Sequence, residues 1–236
     1  MVESRLSPNS ALEGWLEKNP SARYVAPFAF FLLFLALFPR LPIDPGWEAP
    51  LRVIVLAGIC FLCWPREISF WPRHWLASAG IGVAVFLLWI APDVLIPGYR
   101  QQALFSNGVV GHLHSSLAPA GLHDPWILGW RTVRAVLIVP VVEELFWRAW
   151  LMRWLINTDF AKVPLGAYAP FAFWATAVLF ASEHGPYWDV GLLTGVIYNL
   201  WMIRSKSVAD CILMHAVTNG VLSGYVIATG QWQYWQ

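Results

Sequence analysis

Charged side chains are scarce in this chain. Asp, Glu, Lys and Arg make up 12% of its 236 residues, whereas a soluble domain carries about 25%. Most of the surface therefore does not face water, and the hydrophobic content of 58% is typical of a protein embedded in a lipid bilayer. The formal net charge is only +1, so no basic surface predicts a nucleic-acid partner.

Cysteine is also scarce, with three in the chain. Cys60 and Cys63 form a C-x-x-C pattern, but the pattern lies inside the apolar run 53–64. A thiol in such surroundings is rarely ionised, so we interpret the pair as two small apolar side chains one helical turn apart. Cys211 stands alone in another apolar run. The sequence therefore predicts no disulfide framework and no redox site.

Long apolar runs make up most of the sequence. A membrane-spanning helix needs about 17–25 mostly apolar residues, and seven segments approach or exceed that length: residues 24–41, 50–64, 74–96, 125–156, 166–184, 187–202 and 208–228. These runs are too long for strands. The predicted fold is all-α, a polytopic transmembrane helical bundle with residues 1–23 as an N-terminal arm and 24–236 as one transmembrane domain. An eighth span within 97–124 stays open.

Positive charge is distributed unequally between the two predicted sides of the membrane. Nine Lys and Arg residues fall on the N-terminal side (Arg5, Lys18, Arg23, Arg66, Arg73, Arg153, Lys162, Arg204 and Lys206), and five fall on the other (Arg40, Arg52, Arg100, Arg131 and Arg134). Lys and Arg favour the cytoplasmic side of a membrane. We therefore expect a cytoplasmic N-terminal arm.

Ionisable residues lie deep inside the predicted spans of the second half. Glu144 and Arg148 are four residues apart on the fourth span and so can form an ion pair on one helix face. Glu143 points about 100° away and is freer to act as an acid or base. Pro140 precedes them and predicts a kink. Such charges are costly in a membrane and usually mark function, although a purely structural ion-pair network would also explain them.

Two later spans add polar groups of complementary chemistry. His184 ends the fifth span, and His215 and Asn219 share one face of the seventh. A water molecule held between Glu143 and His184 could be deprotonated to attack a carbonyl. His215 and Asn219 could then donate hydrogen bonds to the oxyanion that forms. These groups could therefore carry out a hydrolysis, and two His, two Glu, an Arg and an Asn on three of the predicted spans are harder to explain as a structural network alone.

Three motifs carry a family resemblance: Glu143-Glu144-x-x-x-Arg148, Phe180-x-x-x-His184 and His215-x-x-x-Asn219, with Gly191 to Tyr198 (GLLTGVIY) before the last. In this order and spacing, over about residues 133–221, they resemble the CAAX protease and bacteriocin-processing enzyme family. The resemblance implies a helical membrane bundle that hydrolyses peptide bonds within the membrane.

The resemblance also implies roles. Glu143 is expected as general base with His184, His215 and Asn219 as the oxyanion site, and Glu144 and Arg148 as supporting residues. The catalytic core is expected over about 125–228. The implied substrate is a peptide or protein C-terminus, lipidated or membrane-anchored. The pattern is also similar to CAAX-protease-related proteins of bacterial exosortase sorting systems, which implies a bacterial inner membrane.

Other functions stay open at this point. Glu143, His184 and His215 are possible zinc ligands, so a zinc protease is an alternative to a reaction without a cofactor, although no His-Glu-x-x-His is present. A transporter or a non-catalytic partner-binding protein would also bury such groups. A loop cluster could hold a metal outside the membrane, but we expect its members to be solvated: His112, His114, His123 and Asp124.

Overall fold

A computed structural model describes residues 8–117 and 119–235, and within them every regular element is helical. The helices are α1 (Pro8–Lys18), α2 (Ala22–Leu37), α3 (Pro45–Cys63), α4 (Trp75–Leu95), α5 (125–154), α6 (Pro170–Ser182), α7 (Trp188–Ser205) and α8 (Val208–Thr229). The all-α prediction is confirmed. Of the predicted N-terminal arm, residues 1–7 lie outside the described part of the chain.

Among the described residues, fewer helices are long and apolar enough to cross a membrane than the sequence predicted. Helices α3, α4 and α8 are long and apolar enough to cross a membrane, and α1 with α2, bent by 102° between them, could count as a fourth span. The predicted count of seven is therefore not confirmed. Residues 97–117 and 119–124 contain loops and short 3-10 turns at Tyr99–Gln101 and Pro119–His123, so these residues form no further membrane-spanning helix.

Helix α5 is continuous but not uniform. Two π-helical stretches, Arg134–Ile138 and Leu145–Leu151, interrupt its α-helical parts. In the first, the backbone N–H of Val139 donates to the carbonyl of Arg134, five residues earlier. Pro140 follows directly; it has no N–H, and its ring would clash with a carbonyl four residues before it. The wider π turn accommodates the proline where the sequence predicted a kink.

Small residues set the close helix contacts. Helix α4 packs along α8, and a Cβ added at Gly82 would come within 2.5 Å of the Met214 carbonyl oxygen. Helix α6 packs along α7, where a Cβ at Gly195 would come within 3.1 Å of the Ala177 backbone. Close backbone approach at small residues is the usual way that membrane helices associate. Helices α6 and α8 in turn pack against α5.

Helix α1 closes one end of the bundle. Its Leu16 is fully buried, whereas Trp15 remains exposed. Glu13 accepts hydrogen bonds from Arg23 at the start of α2 (2.5 Å) and from Arg66 after α3 (3.0 Å). The arm is thus tied by charge to the end of the bundle that we expect to face the cytoplasm.

Candidate active site

One cavity of about 500 Å³ opens between α2, α5, α6 and α8. The four predicted catalytic residues all line it: Glu143 from α5, His184 from the turn after α6, and His215 and Asn219 from α8. They are separated by up to 76 positions in the sequence, and the packing of α6 and α8 against α5 places them together. The predicted supporting residues do not line this cavity.

The supporting pair lies directly behind the cavity wall. Glu144 and Arg148 are fully buried, and Arg148 Nη1 lies 3.2 Å from Glu144 Oε1, the ion pair that their spacing predicted. His215 Nδ1 lies 2.9 Å from the same oxygen. Since an ionised carboxylate only accepts, Nδ1 carries the proton and donates. Glu144 therefore orients His215 and turns its Nε2 toward the reaction space.

Aromatic rings enclose the buried guanidinium. The central carbon of Arg148 lies 4.3 Å from the ring centre of Phe180 on α6 and 5.1 Å from that of Tyr198 on α7. Within the described residues, Arg148 Nε and Nη2 have no hydrogen-bond partner. Cation–π attraction over the two ring faces compensates part of that loss. Phe180 and Tyr198, both in the sequence motifs, thus hold Arg148 in place.

Glu143 has the freedom that the sequence predicted for it. Its side chain is buried at 8% exposure, and its Oε2 has no hydrogen-bond partner among the described residues. Glu183, which was not predicted as a site residue, also lines the cavity. Its position next to His184 in the second motif was the only signal in the sequence. The catalytic end of the cavity therefore carries two carboxylates.

His184 is held in one tautomer. Its Nδ1 lies 2.8 Å from the Phe180 carbonyl oxygen, and because a carbonyl only accepts, Nδ1 must carry the proton. In the neutral ring, Nε2 is then a free acceptor for a water proton. A Cβ added at Gly191 of α7 would lie 3.3 Å from the ring. The glycine in the GLLTG stretch thus leaves room for His184.

Asn219 is engaged with the irregular part of α5. Its Nδ2 donates to the carbonyl oxygen of Ala135 over 2.8 Å. In a π turn that carbonyl would pair with the N–H of residue 140, which is Pro140, and the N–H of Val139 already donates to Arg134. Asn219 thus satisfies a carbonyl that lacks a backbone donor, and the second hydrogen of its amide group remains for another acceptor.

Arginines line the other end of the cavity. Arg131 and Arg134, on the first part of α5, both face it, and Arg131 also stacks over the Trp235 ring at 5.0 Å. Sequence reasoning counted both as outward-side charges rather than as site residues. Their place about two and a half to three and a half turns before Glu143, on the same helix, was the signal that could have identified them.

The remaining candidates stay apart from this cavity. His112 Nδ1 contacts Ser106 Oγ at 2.6 Å, and His114 Nδ1 contacts the His112 carbonyl oxygen at 2.9 Å. Within residues 8–117 and 119–235, no group of three His, Cys, Asp or Glu side chains is arranged to hold a metal ion. Three cysteines are buried and form no disulfide within the described residues: Cys60, Cys63 and Cys211.

Comparison with known families bears on the same segment. Residues 125–221 match the family model of the type II CAAX prenyl endopeptidases, Rce1-like. This segment is less than half of the chain, but it contains all of the motif residues. The chain has no match among curated proteins or solved structures. The family resemblance predicted from the motifs is confirmed over this segment, and it supports a membrane protease in general terms.

Proposed function

We propose that the protein is an intramembrane endopeptidase in which Glu143 activates a water molecule. The observation that carries the proposal is the convergence of Glu143, His184, His215 and Asn219 on one cavity, in a segment that matches a peptidase family. A carboxylate without a partner, a histidine with a free Nε2 and an amide donor at one cavity are the groups that peptide hydrolysis needs.

The proposed reaction gives each of the four groups a role, with Glu143 acting first as base and then as acid. Glu143, as carboxylate, takes a proton from a water that also donates a hydrogen bond to His184 Nε2. The hydroxide attacks the carbonyl carbon of the scissile bond. His215, protonated at Nε2 as well and stabilised by Glu144, donates to the oxyanion together with the second amide hydrogen of Asn219. Glu143 then passes its proton to the departing amine as the C–N bond breaks.

The cavity wall supports a substrate that comes from the membrane. Phe31, Leu32 and Leu35 of α2 line the cavity, and Leu32 and Leu35 are also 42% exposed each on the apolar outside of the bundle. An apolar side chain shared by the cavity and the lipid-facing surface fits a lipidated or membrane-anchored peptide. We propose such a substrate, cleaved near its C-terminus, in a bacterial inner membrane.

Substitution of Glu143 tests the proposal. Purified wild-type protein in lipid vesicles should cleave a prenylated peptide that ends in a CAAX sequence, and Glu143→Gln should remove this activity while the protein stays folded. A second assay should compare the termini of membrane proteins from cells that carry either form. A Glu143→Gln protein with full cleavage and unchanged termini would contradict the mechanism. It would favour instead a structural network or a transport role for these residues.

A further inference from the structure

Arg134 is a cavity-lining guanidinium without a counter-ion. Arg134 is half-buried and lines the cavity, and its guanidinium group makes no hydrogen bond or ion pair with any residue in the described ranges. A charged side chain at membrane depth is costly and usually pairs with an opposite charge. A guanidinium group that has no such partner and faces a cavity therefore indicates that a bound ligand supplies the negative charge.

The charged neighbours of Arg134 do not supply that anion. Glu48 and Arg52 of α3 act on it electrostatically, but they form an ion pair with each other. Arg131, the other guanidinium on this side, adds a second positive charge. The nearest carboxylates of the cavity, Glu143 and Glu183, stand at its catalytic end.

The cavity therefore has a positive end and an acidic catalytic end. Arg134 and Glu143 are nine positions apart on α5, about 13 Å along the helix axis at 1.5 Å per residue. An extended peptide covers about 3.4 Å per residue. Roughly three or four residues would thus connect a scissile bond at Glu143 with a charged group at Arg134.

We propose that Arg134 binds the free α-carboxylate of the substrate and so selects peptides by their C-terminus. A guanidinium matches a carboxylate with two parallel N–H···O bonds, which gives orientation as well as affinity. The proposal rests on the proposed peptidase function. Arg134 is a specificity residue in it, since the anchored carboxylate sets which peptide bond lies against Glu143.

A pair of peptides tests the proposal. Both are prenylated and end in the same CAAX sequence, one with a free carboxylate and one with a carboxamide. Wild-type protein in phosphatidylcholine vesicles should cleave the acid with a kcat/KM about 10- to 100-fold higher. Arg134→Gln should remove this preference, so that the two peptides are cleaved with equal kcat/KM. Arg134→Lys should keep part of the preference.

Arg40→Gln is the matched control. Arg40 is exposed, lies outside the cavity and is expected on the same side of the membrane, so the same loss of charge there should leave the preference intact. Equal cleavage of both peptides by the wild type would overturn the proposal, and so would a preference that survives in Arg134→Gln. A third result would also overturn it: the two peptides are cleaved equally, and phosphatidylglycerol inhibits the wild type but not Arg134→Gln. Arg134 would then bind a lipid phosphate instead.

Binding separates this proposal from the peptidase function. If the wild type cleaves neither peptide, the proposed function fails, and anisotropy of fluorescent versions on the Glu143→Gln protein still measures the carboxylate site. Tighter binding of the acid, lost when Arg134→Gln is added, would support the anion site without the reaction. Equal binding of the acid and the amide would overturn it.

Discussion

Asn219 donates a hydrogen bond from its side-chain amide to the backbone carbonyl of Ala135. This contact joins α8 to the π turn of α5, two turns before Glu143. The residue expected to stabilise an oxyanion thus also completes the backbone hydrogen bonding that Pro140 leaves open. Its two amide hydrogens allow both roles at once.

The double role predicts a specific coupling. Asn219→Ala should lower the free energy of unfolding by about 1–3 kcal/mol, because the Ala135 carbonyl loses its donor. Pro140→Ala restores a backbone N–H that can reach the Ala135 carbonyl. Asn219→Ala should therefore lower the free energy of unfolding by less in the Pro140→Ala protein than in the wild type. Unfolding of the four proteins in a double-mutant cycle measures the difference. Equal costs in both backgrounds would contradict the assignment of the orphan carbonyl.

The adjacent carboxylates should differ sharply on substitution. Glu144→Ala leaves Arg148 as an unpaired buried charge, which costs about 3–5 kcal/mol, and we expect little folded protein. Glu143→Ala should yield a folded, inactive protein, because Glu143 has a free oxygen and faces the cavity. Expression yield, thermal unfolding and peptide cleavage give the comparison. The same loss of folded protein from both substitutions would refute this division of roles.

Gly191 should position His184. A methyl group there would contact the imidazole at 3.3 Å and shift the ring by a few tenths of an ångström. We expect Gly191→Ala to lower kcat about tenfold with little change in KM. Gly224→Ala is the control, since the space around that glycine of α8 is open and alanine favours a helix. A wild-type kcat in Gly191→Ala would show that His184 tolerates the shift.

Peptidase activity should withstand chelation. Among the residues that the structure describes, no three His, Cys, Asp or Glu side chains converge on a metal position, and the proposed water activation uses Glu143 and His184 alone. Cleavage measured before and after dialysis against a strong chelator should agree within about twofold. Loss of activity that added Zn²⁺ restores would instead favour the zinc protease as the function.

The orientation in the membrane can be tested with introduced thiols. Trp71 between α3 and α4 and Val109 after α4 are 81% and 95% exposed, while the three natural cysteines are buried and should give little background. With a cytoplasmic N-terminus, a membrane-impermeant maleimide should label Val109→Cys in intact cells and Trp71→Cys only after permeabilisation. The reverse pattern would invert the topology. Labelling of both from one side would show that α4 does not span.

The sequence predicted the local parts of this architecture well. Apolar runs located the helices, because burial in lipid requires long apolar segments. The four-residue spacing of Glu144 and Arg148 predicted their ion pair, because such pairs depend on helix geometry alone. The resemblance to a protease family assigned His184, His215 and Asn219 to one site before any contact between their helices was known.

Contacts between helices were harder to predict. The hydrogen bond from His215 to Glu144 depends on the relative rotation of α5 and α8, which no spacing encodes. The bond from Asn219 to Ala135 depends on a π turn, which changes the register of α5 by one residue. Arg134 was assigned to the outer side from its place in the predicted order of spans, and nothing in the sequence showed that it faces a cavity. Glu183 was not predicted as a site residue either, because the sequence does not show that its side chain faces the cavity.

Two helices of the second half, the short apolar α6 and the longer α7 with its buried polar groups, have a consequence for biogenesis. Helix α6 has 13 residues, about 20 Å at 1.5 Å per residue, against a hydrocarbon core of about 30 Å. Helix α7 buries Asn199, whose amide donates to the carbonyl of Phe173 on α6. Neither helix is a strong insertion signal by itself. We expect them to partition into the bilayer as a pair, and His215 to reach Glu144 only when the ribosome has released α8.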